Sequence, residues 1–367
     1  MDKWWQMYIL VAVVAATGSF IITAFGRRLA PKLGFLDKPL NEAHKRHEAP
    51  MPVFGGVTMF LAWGITLISG LALSGTFHSL ISSRIQEYLP GIQTLMPQLV
   101  LIASAAAAIM LLGMADDRWG LGAFPKFAGQ FLICAIVAAL GPRITLFWEN
   151  PFLTWGITVF WLLVIINAIN FFDNMDGLAG GVVLIATALF TLVAGLRGQH
   201  FVATLGASTA GVVAGFLPHN TPPARIFMGD AGSHFLGLIL GIQGTLTTFY
   251  MPGETQTGAP LLIPLLILGV PLFDLCAVIV IRLHYNRPLH IGDHTHISHR
   301  FAKMGLTRGK AVLLVHLLMF TIGAGAITLL WLPPAGTVII FLQALAVLTV
   351  VSMLQSYTRK HEDDPSC

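Results

Sequence analysis

Residues 152–197, "FLTWGITVFWLLVIINAINFFDNMDGLAGGVVLIATALFTLVAGLR", decide the fold. Two apolar runs, near 152–170 and 178–197, each match the roughly 20 residues a helix needs to cross a bilayer, and a short polar joint separates them. Through that joint Asn167, Asn170, Asp173 and Asp176 recur every three residues, which places them on one face of a helix end. A single Asn or Asp in such a place reads as a helix cap. Four in register form a stripe that has to face protein, water or ligand, because unpaired polar groups in hydrocarbon cost several kcal/mol. Gly177, Gly180 and Gly181 follow and let another backbone or a ligand come close.

The same alternation fills the chain. Of 367 residues, 55% are hydrophobic and 10% charged, against about 25% charged in soluble domains. Apolar runs near 7–26, 54–74, 98–115, 126–141, 152–170, 178–197, 202–219, 233–250, 260–281, 311–331 and 335–356 predict an all-α, polytopic integral membrane protein of about eleven transmembrane helices. Neither a soluble domain nor an internal repeat interrupts them, so residues 1–367 read as a single membrane-embedded domain. The first run has no small-residue cleavage site behind it and is followed by Arg27, Arg28 and Lys32, which predicts a retained helix and not a cleaved signal peptide.

One alternate set of loops (27–53, 116–126, 170–177, 219–232, 282–310 and the C-terminal tail) holds 17 of the 21 Lys and Arg. The positive-inside rule therefore predicts an outside N-terminus and a cytoplasmic C-terminus. The net charge of +4 is mostly this topology signal, with attraction for anionic lipid or substrate as its second meaning. It does not indicate nucleic acid. Cys134, Cys276 and Cys367 fit neither a zinc motif nor a disulfide framework.

Each of the positively charged loops carries a polar cluster. In "LGFLDKPLNEAHKRHEAPMPVFGG" the basic group around Lys45 and His47 reads equally as a topology anchor and as a phosphate contact. In "GMADDRWGLGAFPKF" the adjacent Asp116 and Asp117 close a helix whose dipole already disfavours acids there, which points to a cation or a proton-transfer role; Lys126 opens the next run. "RIFMGDAGS" sets Asp230 among small residues at a helix start, a position that alone reads as an N-cap. "RLHYNRPLHIGDHTHISHR" gathers five histidines with Arg287 and Arg300, a zinc site or an anion site. Asp274 stands alone about two turns inside an apolar run, where an acid pairs or serves a pathway, and His316 reads as a satisfied core residue.

Carboxylates for a divalent metal and cations for phosphate on one membrane face match Mg²⁺-assisted phosphoryl transfer, which depends on positioning and charge neutralisation. Membrane embedding implies a lipid substrate.

"LDKP…HKRHEAPMPVFGG", "GMADDRWGL…K", "NAINFFDNMDGL", "FMGDAGS" and "GDHTHISHR" occur in an order that resembles the polyprenyl-phosphate N-acetylhexosamine 1-phosphate transferases over nearly the whole chain. The resemblance implies a Mg²⁺-dependent phosphoglycosyl transferase, with Mn²⁺ as an alternative ion, that moves a sugar 1-phosphate from a UDP-N-acetylhexosamine to undecaprenyl phosphate and releases UMP. It implies Asp116 as base on the lipid phosphate or, in a two-step scheme, as nucleophile, with Asp117, His296 and His299 also catalytic. Asp230, with Asp117, is implied as metal ligand. Lys45, His47, Lys126, Asn170, Asp173, Asp176, Gly177, Phe227 and Arg300 are implied to bind substrate, Phe227 stacking on uracil. A homodimer among membrane lipids is a further expectation. The chain departs from the family's pattern at Ser298, where a histidine is common, at Asn174, where glycine is usual, and in a spacing from Asp37 to His47 about two residues longer. The branch that opens O-antigen, lipopolysaccharide or teichoic acid synthesis fits better than the phospho-MurNAc-pentapeptide transferases that make lipid I, whose adjacent histidines and acid are missing, so UDP-GlcNAc is the favoured donor. Two other classes remain as alternatives: an ion-coupled transporter using Asp274, and a zinc hydrolase using the histidine loop.

Overall fold

The computed structural model of the chain describes residues 3–37, 50–76, 89–144, 150–247, 259–284, 286 and 296–362. In chain order these form α1 (Lys3–Leu33), the strands β1 (Leu36–Asp37) and β2 (Met51–Pro52), α2 (Gly55–Thr76), α3 (Leu89–Trp119), α4 (Ala123–Leu140), α5 (Pro151–Phe172), α6 (Leu178–Leu196) and α7 (His200–Asn220). There follow α8 (Gly229–Thr247), α9 (Ala259–Ile267), α10 (Gly269–His284), α11 (Ile297–Lys303), α12 (Arg308–Thr328) and α13 (Pro334–Glu362). Every apolar run in the sequence has a helix. Among the described residues, nine helices are long and apolar enough to cross a membrane, and α9 with α10 makes a tenth candidate bent by 73°.

That bend corrects the expectation of one continuous span over 260–281. Proline lacks an N–H and its ring clashes with the carbonyl four residues back, and Pro271 is four residues beyond Ile267, where α9 ends. The α5 start is local chemistry of a simpler kind. The Asn150 side chain accepts from Phe152 N at 3.0 Å and Leu153 N at 3.3 Å, with Pro151 at the first helical position.

The helix that organises the rest is α8, which starts four residues earlier than its apolar run. It is buried from Ala231 through Thr247, packed against α2, α3, α5 and α6. It therefore never meets lipid, and it tolerates Ser233, His234, Gln243, Thr245 and Thr247 inside the bundle. Close approach at its start depends on missing side chains: a Cβ on Gly56 would lie 2.1 Å from Gly232 N, and one on Gly113 would lie 2.3 Å from Asp230 O. The outer helices turn large apolar residues outward, among them Phe124, Phe152, Ile68 and Val280, as a lipid-facing surface requires.

A small hairpin closes one end of the bundle, with Leu36 opposite Pro52 and Asp37 opposite Met51. Val53 bridges in parallel to Phe227, and Gly55 N and Gly56 N donate to Phe227 O and Met228 O at 3.0 and 2.9 Å. The entry to α2 is thus bonded to the entry to α8.

Phe235 of α8 is fully buried and meets Phe60 and Trp63 edge-on, with ring centroids 5.6 and 5.5 Å apart. Phe235→Ala should cost about 3 kcal/mol, measured as a lower Tm of the protein in detergent.

Candidate active site

The ends of α3, α5 and α7 and the starts of α2, α4, α6 and α8 meet at the hairpin end of the bundle. Helix starts leave N–H groups unpaired, and the start of α8 is enclosed by protein. The Asp117 carboxylate supplies the missing acceptors, Oδ1 taking Asp230 N at 2.8 Å and Oδ2 taking Ala231 N at 3.0 Å. Gly229, at φ +69°, passes so close that a Cβ there would stand 2.6 Å from Asp117 Oδ2. Asp117 is therefore an N-cap supplied from another helix.

Asp116 points elsewhere. Its Oδ1 accepts from Leu121 N at 2.6 Å, and its Oδ2 lies 2.9 Å from Lys126 Nζ. The same ammonium is hydrogen-bonded to Asp230 Oδ2. Two carboxylates from α3 and α8 thus converge on one positive point offered by α4.

The stripe on α5 holds the segment leading into α8, running antiparallel to it. Asp176 Oδ2 accepts from Ala224 N at 3.0 Å, Asp173 accepts from Gly229 N, and the Asn170 amide reaches Asp230 Oδ1, Lys126 Nζ and His234 Nε2 at 3.2, 3.1 and 3.1 Å. Asn167 Nδ2 donates to Gln130 Oε1 at 2.9 Å. Gly177, at φ +73°, begins α6 and donates its N–H to Asn220 Oδ1 at 3.0 Å, while Asn220 Nδ2 donates to Ile226 O at the same distance. Phe227 is half-buried beside Asp230, its backbone fixed by Pro52 O and Gly55 N.

The structure therefore brings together Asp116, Asp117, Lys126, Asn170, Asp173, Asp176, Gly177, Phe227 and Asp230. His296 and Arg300 gather one step away around Asp274, a partner the sequence does not reveal. His296 Nδ1 donates to Asp274 Oδ2 at 2.8 Å, Ile297 N to Oδ1 at 2.7 Å, and Arg300 Nη2 to Oδ1 at 3.4 Å. His299 is half-buried on the same short helix. Ser298 Oγ donates to Asn174 Oδ1 at 2.8 Å, so two of the three departures from the family's pattern are bonded to each other. Lys45, His47 and His294 lie outside the described residues. His316 docks on Leu178 O at 3.1 Å, a satisfied core residue as expected.

Gln130, His234 and Asn220 were missed in the sequence. A signal exists for two of them: Gln130 and His234 each lie four residues, one helical turn, beyond a site residue, Lys126 and Asp230.

As a test of fit for a metal, Asp116 and Asp230 already share one cationic point through hard oxygens, and Mg²⁺ takes one or two carboxylates plus substrate phosphates and water. The residues fit. Among the described residues no group of three or more His, Cys, Asp or Glu gathers as a complete protein-only metal site.

The protein is a multi-pass helical membrane protein with carboxylates, amides and a lysine massed at one end of the bundle, and comparison with known proteins gives the class. The family model described as glycosyl transferase family 4 matches residues 99–248, which contain all of the gathered site. The chain is 31% identical to a Bacillus subtilis (strain 168) protein named "probable undecaprenyl-phosphate N-acetylglucosaminyl 1-phosphate transferase", over 95% of this chain and 94% of the relative. It is 30% identical to the decaprenyl-phosphate N-acetylglucosaminephosphotransferase of Mycobacterium tuberculosis (strain ATCC 25618 / H37Rv), covering 94% and 88%. It is 27% identical to the undecaprenyl-phosphate alpha-N-acetylglucosaminyl 1-phosphate transferase of Salmonella typhi, covering 84% and 79%. The chain belongs to glycosyl transferase family 4.

Two predictions separate architecture from chemistry. Asp117→Ala strands two enclosed N–H groups and should cost about 2 kcal/mol, whereas Asp117→Asn keeps one acceptor and should retain part of that stability, both read by thermal unfolding in detergent. Burial, reinforced by the charges of Asp230 and Asp176, pushes the Asp173 carboxyl up from 3.8 to about 7. A carboxyl raised on folding contributes stability that is complete below its ordinary value and lost as pH rises through the raised one. The metal-free protein should therefore lose Tm between about pH 4 and pH 7, and Asp173→Asn should flatten that slope.

Proposed function

We propose that the protein transfers GlcNAc 1-phosphate from UDP-GlcNAc to undecaprenyl phosphate, forming undecaprenyl-diphosphate-GlcNAc and releasing UMP. A lipid phosphate oxygen bonds to the sugar-bearing phosphorus, and the bond from that phosphorus to the bridging oxygen breaks, leaving with UMP. The observation that carries this reading is the convergence of Asp116 and Asp230 on Lys126, with the Asn170–Asp176 stripe alongside, at one end of a membrane bundle. The names of the relatives support the lipid phosphate acceptor and the GlcNAc 1-phosphate group.

Asp230 and Asp116 would hold Mg²⁺, with Asp117 behind them, and Mn²⁺ could replace it. When bound, the ion supplies neutralisation of diphosphate charge. Lys126 contributes a second positive charge to the same oxygens. Asp116, fixed by Leu121 N, faces the acceptor phosphate and takes its proton. The α5 stripe and Phe227 form the donor pocket, the aromatic ring offering a face to uracil. His299 and Arg300, on a helix anchored by Asp274, complete the phosphate surroundings. The basic loops support a cytoplasmic position for this end of the bundle, and the proposed setting is the bacterial inner membrane, where the reaction would open a cell-surface glycan pathway.

Purified protein given undecaprenyl phosphate, Mg²⁺ and separate UDP-sugars should release UMP fastest with UDP-GlcNAc. Release from no donor would sink the reading, and release only from UDP-MurNAc-pentapeptide would move the protein to lipid I synthesis. Asp230→Ala should lower turnover at least about 100-fold with Tm preserved, and Mg²⁺ removal by EDTA should stop the wild type.

A further inference from the structure

Behind the carboxylates lie two buried polar side chains that no motif predicted, Gln130 and His234, which are 1% and 0% exposed. Gln130 Nε2 is 3.2 Å from His234 Nε2, and Gln130 Oε1 is taken by Asn167 Nδ2, which also donates to Leu163 O at 2.8 Å.

We infer that His234 is a positioning residue that fixes the Asn170 amide, and through it Lys126 and Asp230, in their working arrangement. The amide of Asn170 has two orientations. In one its nitrogen donates to Asp230 Oδ1 while its oxygen accepts from Lys126 Nζ and from His234 Nε2. In the other the amide nitrogen faces an ammonium and the oxygen faces a carboxylate, and both contacts are repulsive. The first orientation requires an N–H at His234 Nε2. Gln130 pulls the opposite way, because its free amide nitrogen can only donate. Two charge-assisted bonds at the site, each about twice as strong as a neutral one, outweigh that single neutral bond. The ring is held with its proton on Nε2, and Nδ1, which has no hydrogen-bond partner among the described residues, keeps a bare lone pair and not an N–H aimed into the apolar core.

Without the ring N–H, Asn170 is free to reverse, and Lys126 loses an acceptor that keeps it beside Asp230. A plain packing role for His234 predicts none of this.

The test rests partly on the transfer reaction proposed above, so one arm is independent of it. In ¹⁵N-histidine-labelled protein without metal, the ring signal lost in His234→Gln should show a neutral ring protonated on Nε2, and Asn170→Ala should move that signal. A ring protonated on Nδ1, or a signal indifferent to Asn170, would overturn the inference even in an active enzyme. In the activity arm, His234→Leu should lower kcat about tenfold with donor KM and Tm little changed, the scale of one hydrogen bond to a charged network. His234→Gln, whose amide nitrogen stands where Nε2 stood, should recover most of the loss, and His234→Leu should add nothing to Asn170→Ala. Wild-type kcat in His234→Leu, or losses that multiply in the double variant, would refute it. If the wild type releases no UMP from any donor, the transfer reading fails while the labelling result still decides the role of His234.

Discussion

A helix that begins inside protein has N–H groups that water cannot reach, and α8 is such a helix. Something has to accept those hydrogens. Asp117 takes two of them from the end of α3, and Asp173 takes the N–H of Gly229 from the end of α5. Meeting this one need pins three helices to a common point. It also fixes the neighbours of those acids: Asp116 is set beside Lys126 because Asp117 is committed to α8, and Asp230 is carried into the same space as the first acid of that helix.

The arrangement is rich in negative charge, with Asp116, Asp117, Asp173, Asp176 and Asp230 around the single ammonium of Lys126 within the gathered site. Like charges 4 Å apart repel by about 1 kcal/mol in water and about 4 kcal/mol at the effective dielectric of a protein surface. Burial raises the Asp173 carboxyl to about 7, which reduces the negative charge it contributes at neutral pH. Two phosphate-bearing substrates would add further negative charge. A site so composed is unfavourable without a cation and is balanced with one, which is the physical basis for proposing a divalent ion there.

Much of this was legible in the sequence because hydrophobic runs and the spacing of polar residues are both local. The apolar runs specified the helices, and the three-residue period of Asn167, Asn170, Asp173 and Asp176 placed them on one face, where each now holds a partner. Three features were not local. The bend between α9 and α10 depends on Pro271 meeting the end of a preceding turn, within a run whose hydropathy is unbroken. Asp117 looked like half of an acidic pair, yet its partners are backbone groups more than a hundred residues away. Gln130 and His234 lay inside apolar runs, and only their position one turn beyond Lys126 and Asp230 connects them to the site.

Asp274 shows why a costly residue can be structural and functional together. The helix α11 has seven residues, too few to be stable alone, since isolated helices shorter than about 12 are marginal. Its place is set by side-chain tethers: Asp274 holds His296 and Ile297 N, Gln355 Nε2 donates to Ile297 O at 3.3 Å, and Ser298 ties it to Asn174 in the α5–α6 turn. An acid buried in a span has to be paired, and here its pairing fixes the helix that carries His299 and Arg300. The transporter alternative needed a carboxylate available to a pathway. Asp274 is 1% exposed and bonded through both oxygens, and the Ser298–Asn174 bond transmits the position it sets to the polar stripe.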